Sequence, residues 1–384
     1  MDFALTEEQE LLRKEIVRFA RETLNGDVEQ RDKEGLFSRA AWDRAGEMKL
    51  QGLIVPEEYG GVGLDPLSCA TALEALGYGC KDGGLVFAIC AHLLACVVPV
   101  VKHGSEAQKR RYLPALASGE LIAVNGMTEP GSGSDAFAMS TTATADGEGF
   151  RLNGTKTFSS NGPVADLALV YAVTEPGKVM GGITAFLVER GTPGFEPGQQ
   201  FDKMGLRTCS IGELVFDDAY VGPEAVVGGV GAGVTIFSQS MDWERICLVA
   251  SHVGTMQRLL EQAVEHARTR EAFGRPIGAF QAVSHRIADM KVRLEAARLL
   301  VQRSAWKLDR TREVALDASM TKLFASEALL ESAMDTVRTL GGGGFMAECE
   351  AERALRDAVG GTLYSGTSDI QRDIIARWLG VVPR

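Results

Sequence analysis

The sequence predicts an α+β protein of three parts: a helical domain over residues 1–120, a β-barrel or sandwich over 121–235, and a helical bundle over 236–384. Three observations predict it. Apolar residues recur at helical spacing before Gly119, short alternating runs rich in Gly, Thr, Val and Phe come next, and long helical periodicity returns after about residue 236. The 384 residues, 45% of them hydrophobic, suffice for a large core divided among two or three units.

The first helix is announced by Thr6 and Gln9, which have capping-box spacing, and by Leu11, Ile16, Phe19 and Ala20 near helical spacing. Pro56 to Gly61 break the pattern as a turn, and a second helical block starts near Leu67. Leu85 to Val101 is the most apolar run. His92 and Pro99 interrupt it, so it reads as a buried helix followed by a bend, not a membrane span. In the middle part, Asn153-Gly154 sits between two alternating runs and predicts a hairpin turn, with further strands at 167–173, 183–188 and 213–216. The strongest late helix covers Val283 to Leu308, where Ile287, Met290, Leu294, Ala297 and Leu300/Val301 form one stripe.

A formal charge of -11 argues against a general nucleic-acid binder. Lys109-Arg110-Arg111 is a local basic run, either a solvated helix face or a docking patch for an acidic partner. The seven cysteines are scattered, odd in number and without a Cys-x-x-Cys pair, which predicts reduced thiols in a cytoplasmic protein with no metal site. The opening Met1-Asp2-Phe3-Ala4-Leu5-Thr6-Glu7-Glu8 is acidic and has neither a signal nor a transit pattern. A Gly-x-Gly-x-x-Gly in strand–helix context and a Walker loop are both missing, so a Rossmann site and a P-loop are not expected.

Four stretches carry candidate chemistry. Met127 to Asp135 is a polar Gly-rich loop, open to an ordinary loop or a cradle for a planar polar ligand. Phe158 reads as a strand aromatic, in the core or facing a ligand. Arg270 suits either a helix C-terminus or a diphosphate, and Gly341 to Gly344 after Arg338 suit a helix cap or a close ligand approach. Glu244 falls on a helical stripe with Phe237, Met241 and Leu248. An acid on an apolar stripe is either paired, rolled to solvent, or a desolvated base with a raised pKa.

Taken together and in this order, these stretches resemble the acyl-CoA dehydrogenase family across nearly the whole chain. Thr128-Glu129-Pro130-Gly131-Ser132-Gly133-Ser134-Asp135 resembles its first flavin signature, implying that Met127 and Thr128 bond the isoalloxazine edge and that Ser134 lies near flavin and thioester. Lys156 to Gly162 is similar to the strand that usually reads Lys-x-Trp-Ile-Thr-Asn-Gly, with Phe158 for the Trp and Ser160 for the Thr. Arg270, Phe273, Phe280 and Gln281 resemble the segment that reaches the FAD diphosphate of a neighbouring subunit, and Arg338, Gly341 and Gly342 a second contact to that cofactor. The resemblance therefore implies a homotetramer.

Tyr364-Ser365-Gly366-Thr367 resembles the family's Tyr-Glu-Gly-Thr signature, except that Ser365 stands where the common form has its catalytic Glu. Glu244-Arg245 resembles the isovaleryl-type branch, which carries its base on an earlier helix. This implies that Glu244 takes the substrate α-proton while flavin accepts hydride. Asp242 and Arg245 match contacts to the acyl carrier arm, Ser365 and Gly366 match the backbone site for the thioester carbonyl, and Thr367 and Asp369 match cofactor contacts. The implied reaction is FAD-dependent α,β-dehydrogenation of a short, branched, prolyl or aminoacyl thioester on CoA or a carrier protein, with an electron-transfer flavoprotein or oxygen as acceptor. Leu24-Asn25, Met204 to Thr208 and Met241 to Arg245 look closer to the members that act on carrier-bound prolyl or aminoacyl groups. Two alternatives stand beside it: a flavin monooxygenase or nitroalkane-oxidase-like enzyme, and a non-catalytic flavin-bound binding protein.

Overall fold

The Thr6 hydroxyl accepts from the Gln9 amide and the Gln9 side chain accepts from the Thr6 amide, the expected capping box, and it opens α1 (Glu7–Thr23). The computed structural model describes residues 4–311 and 313–382; Met1, Asp2 and Phe3 of the acidic opening lie outside them. Ile16 and Ala20 of α1 are buried and Phe19 packs on the core, whereas Leu11 stands in solvent at the far side of the helix. Helices α2 (Val28–Glu34), α3 (Arg39–Glu47), α4 (Pro66–Gly79), α5 (Gly83–His92), α6 (Val98–His103) and α7 (Glu106–Ser118) complete the first part. Asp65 caps α4 through the amides of Leu67 and Ser68, ahead of Pro66 in the first turn, where a missing N–H is harmless.

The Leu85–Val101 stretch is buried, as its composition predicts, and it stays helical through Pro99. Helices α5 and α6 run on through a π-helical turn, Leu93–Val97, so that Gly83–His103 is one helix. The wider turn just ahead of Pro99 accommodates a residue that has no N–H to donate.

Strands β1 (Ala123–Gly126), β2 (Thr142–Asp146), β3 (Gly149–Ser160), β4 (Leu167–Val173), β5 (Ile183–Glu189), β6 (Phe195–Gln200), β7 (Ile211–Val221) and β8 (Val226–Val227) form one mixed sheet. Its order is β6-β7-β3-β2-β4-β5-β8, with β1 parallel to β4. Both halves of this sheet feed one apolar core: Leu152, Leu214 and Phe216 meet Val124, Val170 and Phe186 there, as in a sandwich. The alternate residues of β4 and β5, including Leu169, Tyr171 and Leu187, face the helical core instead. With both faces covered, these strands read as unbroken apolar runs.

One expected turn is corrected. Asn153-Gly154 lies inside the continuous strand β3, at a register shift against β7. Thr141 passes so close that a Cβ on Gly154 would sit 2.5 Å from its Oγ1, so the glycine serves a bulge. The hairpin is one strand-length earlier, at Gly147-Glu148 between paired Asp146 and Gly149. The Glu213–Phe216 strand is also longer than expected, spanning β7.

The last part holds α8 (Gly233–Trp243), a π-helical turn at Glu244–Leu248, α9 (Val249–Thr269), a tight pair β9 (Glu271–Ala272) and β10 (Arg275–Pro276), then α10 (Gln281–Leu308), α11 (Ala315–Leu340), α12 (Glu350–Gly361) and α13 (Ser368–Trp378). On α10, Met290, Leu294, Ala297 and Val301 are buried, as their spacing predicts. The seven cysteines are free thiols, six of them buried.

Candidate active site

Glu244 is the first residue of the π-helical turn between α8 and α9, and it is only 7% exposed. Met241 and Leu248 of its predicted stripe are buried with it, and Phe237 is half-buried. The turn packs against the second π-helical turn at Leu93–Val97. Burial raises the pKa of the Glu244 carboxyl, opposed by a hydrogen bond from Ser365 and by the charges of Arg245 and Lys322. A desolvated carboxylate with one short donor is a stronger base than one in water.

Ser365 reaches Glu244 from the loop between α12 and α13. Its hydroxyl donates to the carboxylate in a short hydrogen bond. The Ser365 backbone is left-handed, at φ 56°, a conformation that needs support in a non-glycine residue. Support comes from Arg245 Nε and Gln371 Nε2, each 3.0 Å from the Ser365 carbonyl oxygen. Gly366 comes next because a Cβ there would lie 2.7 Å from Gln371 Nε2.

A cavity of about 720 Å³ opens in front of this pair. Glu244, Arg245, Ser365, Gly366 and Thr367 line one wall. Met127, Thr128, Ser134, Phe158 and Ser160 line the facing one. These ten expected residues are thus brought together from the Gly-rich loop, β3, the π-helical turn and the C-terminal loop.

The facing wall is fastened from beneath. Lys156 and Glu129, both buried, form an ion pair at 2.7 Å, and the Thr157 amide donates to the Thr128 carbonyl at 2.8 Å. Burial would raise the Glu129 pKa. The Lys156 ammonium and the donors of Ser140 and Thr141 outweigh it and hold the carboxyl down at about 2. Burial in turn lowers Lys156 to about 8. Glu129 and Lys156 stand in the two flavin-like stretches, but neither stretch foretells that they pair.

A flavin ring fits this wall. Phe158 lines the cavity yet is 62% exposed, and its φ of 52° turns the chain so that the phenyl, 5.3 Å from Phe201, stands free. A large aromatic face held out at such backbone cost calls for a planar partner. Asn125 Oδ1 on the same lining is buried without a hydrogen-bond partner among the described residues.

Nine expected residues do not line the cavity. Asp242 lies behind it beside Arg245, its carboxyl raised to about 6 by burial. Asp369 sits on the first turn of α13, facing solvent and paired with Arg372. Arg270, Phe273, Phe280 and Gln281 surround the β9–β10 turn, where Phe273 is 94% exposed. Arg338, Gly341 and Gly342 stand exposed at the end of α11. The basic run 109–111 is also away from the cavity, and its charges are partly answered: Arg110 pairs with Glu106 and Arg111 with Glu189. It is a solvated helix face with local partners.

Two further residues of this region, Lys322 and His252, carry no pattern in the sequence. Lys322 of α11 is fully buried, close enough to Glu244 and Arg245 to act on their charges, and its ammonium has no hydrogen-bond partner among the described residues. Burial brings it to about 8. Tyr364 and His252 hydrogen-bond each other at 2.7 Å beside the cavity.

Comparison with known proteins agrees with this geometry. The family profiles described as Acyl-CoA dehydrogenase N-terminal, middle and C-terminal domains match residues 6–120, 125–219 and 231–380. An L-prolyl-[peptidyl-carrier protein] dehydrogenase of Pseudomonas fluorescens is 47% identical over 89% of this chain and 90% of its own length. The crystal structure of the prolyl acyl carrier protein oxidase AnaB superposes with a TM-score of 0.96 at 42% identity, covering 98% of this chain and all of that one. PigA with FAD and proline superposes with a TM-score of 0.97 at 41% identity, over 99% and 100% of the two chains. With three domain profiles matched in order and relatives of this similarity along nearly its whole length, the chain belongs to the acyl-CoA dehydrogenase family.

Proposed function

We propose that this protein removes the α-proton and the β-hydride of a small aminoacyl group, prolyl first among them, held as a thioester on a carrier protein. The observation that carries the reading is the buried Glu244 carboxylate, opening on the cavity and fixed by Ser365. Relatives at 42–47% identity are named for a prolyl carrier-protein substrate, which supports prolyl over a simple acyl-CoA.

Glu244 takes the α-proton. The Ser365 backbone amide donates to the thioester carbonyl where negative charge develops, and Arg245 and Gln371 hold that segment from behind. Met127, Thr128, Ser134, Phe158 and Ser160 would hold FAD, which would supply the acceptor for the β-hydride as the Cα=Cβ double bond forms. The electrons pass to a flavoprotein carrier or to oxygen.

Arg270, Phe273, Phe280 and Gln281, with Arg338, Gly341 and Gly342, serve the FAD of another copy in a homotetramer. The exposure of most of them, and their absence from the lining of this chain's own cavity, support that arrangement. The free thiols suit a reducing cytoplasm.

Anaerobic flavin bleaching tests the reading. Prolyl-loaded carrier protein should reduce the flavin faster than butyryl- or isovaleryl-CoA. Fast bleaching by those CoA esters with none from any loaded carrier would return the enzyme to ordinary acyl-CoA oxidation.

A further inference from the structure

Behind the Tyr364 ring lies a second, smaller cavity of about 50 Å³, walled by His252, Asp357, Arg258 and Glu350 among others. Phe87, Leu206 and Tyr364 line both cavities and form the wall between them. The Tyr364 and Phe87 rings are 4.6 Å apart. The Tyr364 hydroxyl meets His252 Nε2 at 2.7 Å. Burial pushes His252 down to about 3, so the imidazole is neutral and Nε2 shares a single hydrogen with the phenol oxygen. His252 has little freedom to turn away, because α12 passes so close that a Cβ on Gly361 would be 3.0 Å from its Cε1.

We propose that Tyr364, tethered by His252, is a partition between the substrate cavity and the smaller one, and that it sets the size of the acyl group admitted beside Glu244. The proposal rests on the thioester oxidation proposed above. Its physical basis is the shared wall. The small cavity has room for one or two waters, whose share of liquid volume is about 30 Å³ each. Its lining mixes the charged Arg258, Glu350 and Asp357 with the apolar Val86, Leu248 and Leu329, and with the partition shut it stays separate from the space beside Glu244. Removing the ring joins that space to the substrate cavity and adds the volume of the ring itself. Tyr364 directly precedes Ser365, so the partition and the partner of the base are consecutive residues on one short loop. His252 touches neither the large cavity nor Glu244, and acts through Tyr364 as a positioning residue.

The test uses FAD-loaded protein and compares flavin bleaching by prolyl, butyryl and octanoyl thioesters. In Tyr364→Ala the octanoyl-to-butyryl rate ratio should rise at least tenfold. His252→Leu, which leaves the ring but frees it, should raise the ratio severalfold, and His252→Gln, whose amide oxygen can accept the phenol hydrogen, should restore it. A ratio within twofold of the parent in both Tyr364→Ala and His252→Leu overturns the proposal, as does a His252→Gln protein that behaves like the leucine variant. If Tyr364→Ala fails to fold, the two His252 variants decide. Calorimetric binding of the matching non-reactive thioethers makes the same comparison without turnover. Absence of bleaching by every thioester in the parent would therefore defeat the functional reading, while the binding ratios would still judge the partition.

Discussion

The Ser365 hydroxyl donates to the Glu244 carboxylate across 121 positions of sequence, so the residue in the family's usual base position holds the carboxylate proposed as the base. The bond works against burial: desolvation raises the Glu244 pKa and Ser365 lowers it.

Glu244→Gln should keep the yellow FAD complex and lose substrate-driven flavin reduction by several orders of magnitude. Anaerobic stopped-flow absorbance measures both. A near-parental rate would place the base elsewhere.

Ser365→Ala removes a donor to a charged acceptor, an interaction of about 1.5–3 kcal/mol. The base must be ionised to act, so reduction rises with pH through its pKa. Losing the donor moves that pKa further up, by about one to two pH units at 1.36 kcal/mol per unit. The rising limb of the pH–rate profile should shift to higher pH, with the high-pH plateau less affected. An unshifted limb would mean that the hydroxyl does not bear on the ionised base.

Lys156→Met strips the buried Glu129 carboxylate of its cation. Breaking a buried pair in this way costs about 3–5 kcal/mol, read by urea unfolding, and FAD should bind less tightly because Met127 and Thr128 lose their fastening. The parental pair has a defined acid limit. Glu129 has a depressed pKa of about 2 in the fold, so its contribution is complete above the ordinary glutamate range and is lost as pH falls toward 2. In the methionine variant that acid-labile part should shrink.

Arg270→Ala should weaken FAD binding by the loss of charge-assisted bonds, about 1.5–3 kcal/mol, if the exposed β9–β10 turn serves a neighbour's cofactor. Flavin release tracked by fluorescence, alongside light scattering for assembly, checks it. A monomer with full cofactor would contradict the shared site.

Local rules expose a good part of this molecule. Thr6 and Gln9 specify their cap through neighbours three residues apart, and the α10 stripe needs only helical period. Glu244 is legible as a candidate because an acid among Phe237, Met241 and Leu248 is conspicuous on any helix, while its proposed role as base comes from the resemblance of Glu244-Arg245 to the isovaleryl-type branch. Asn153-Gly154 misleads because the turn rule knows nothing of Thr141, whose close passage makes the glycine a bulge. Lys156–Glu129, Tyr364–His252 and the buried Lys322 stay hidden for the same reason: each gains its meaning from a contact between distant segments, or from burial that no local pattern encodes.

The π-helical turn that begins at Glu244 has a consequence for how such a site can be lost or gained. A π turn holds one residue more than the regular helix around it, and each residue added to a helix rotates the downstream segment by about 100°. Deleting a single codon within 245–248 would let the helix regularise and shift the backbone that carries Glu244 relative to Ser365, without altering either side chain. In the descent of this scaffold, the chemistry is therefore more exposed to a one-residue indel in that turn than to many of the substitutions around it.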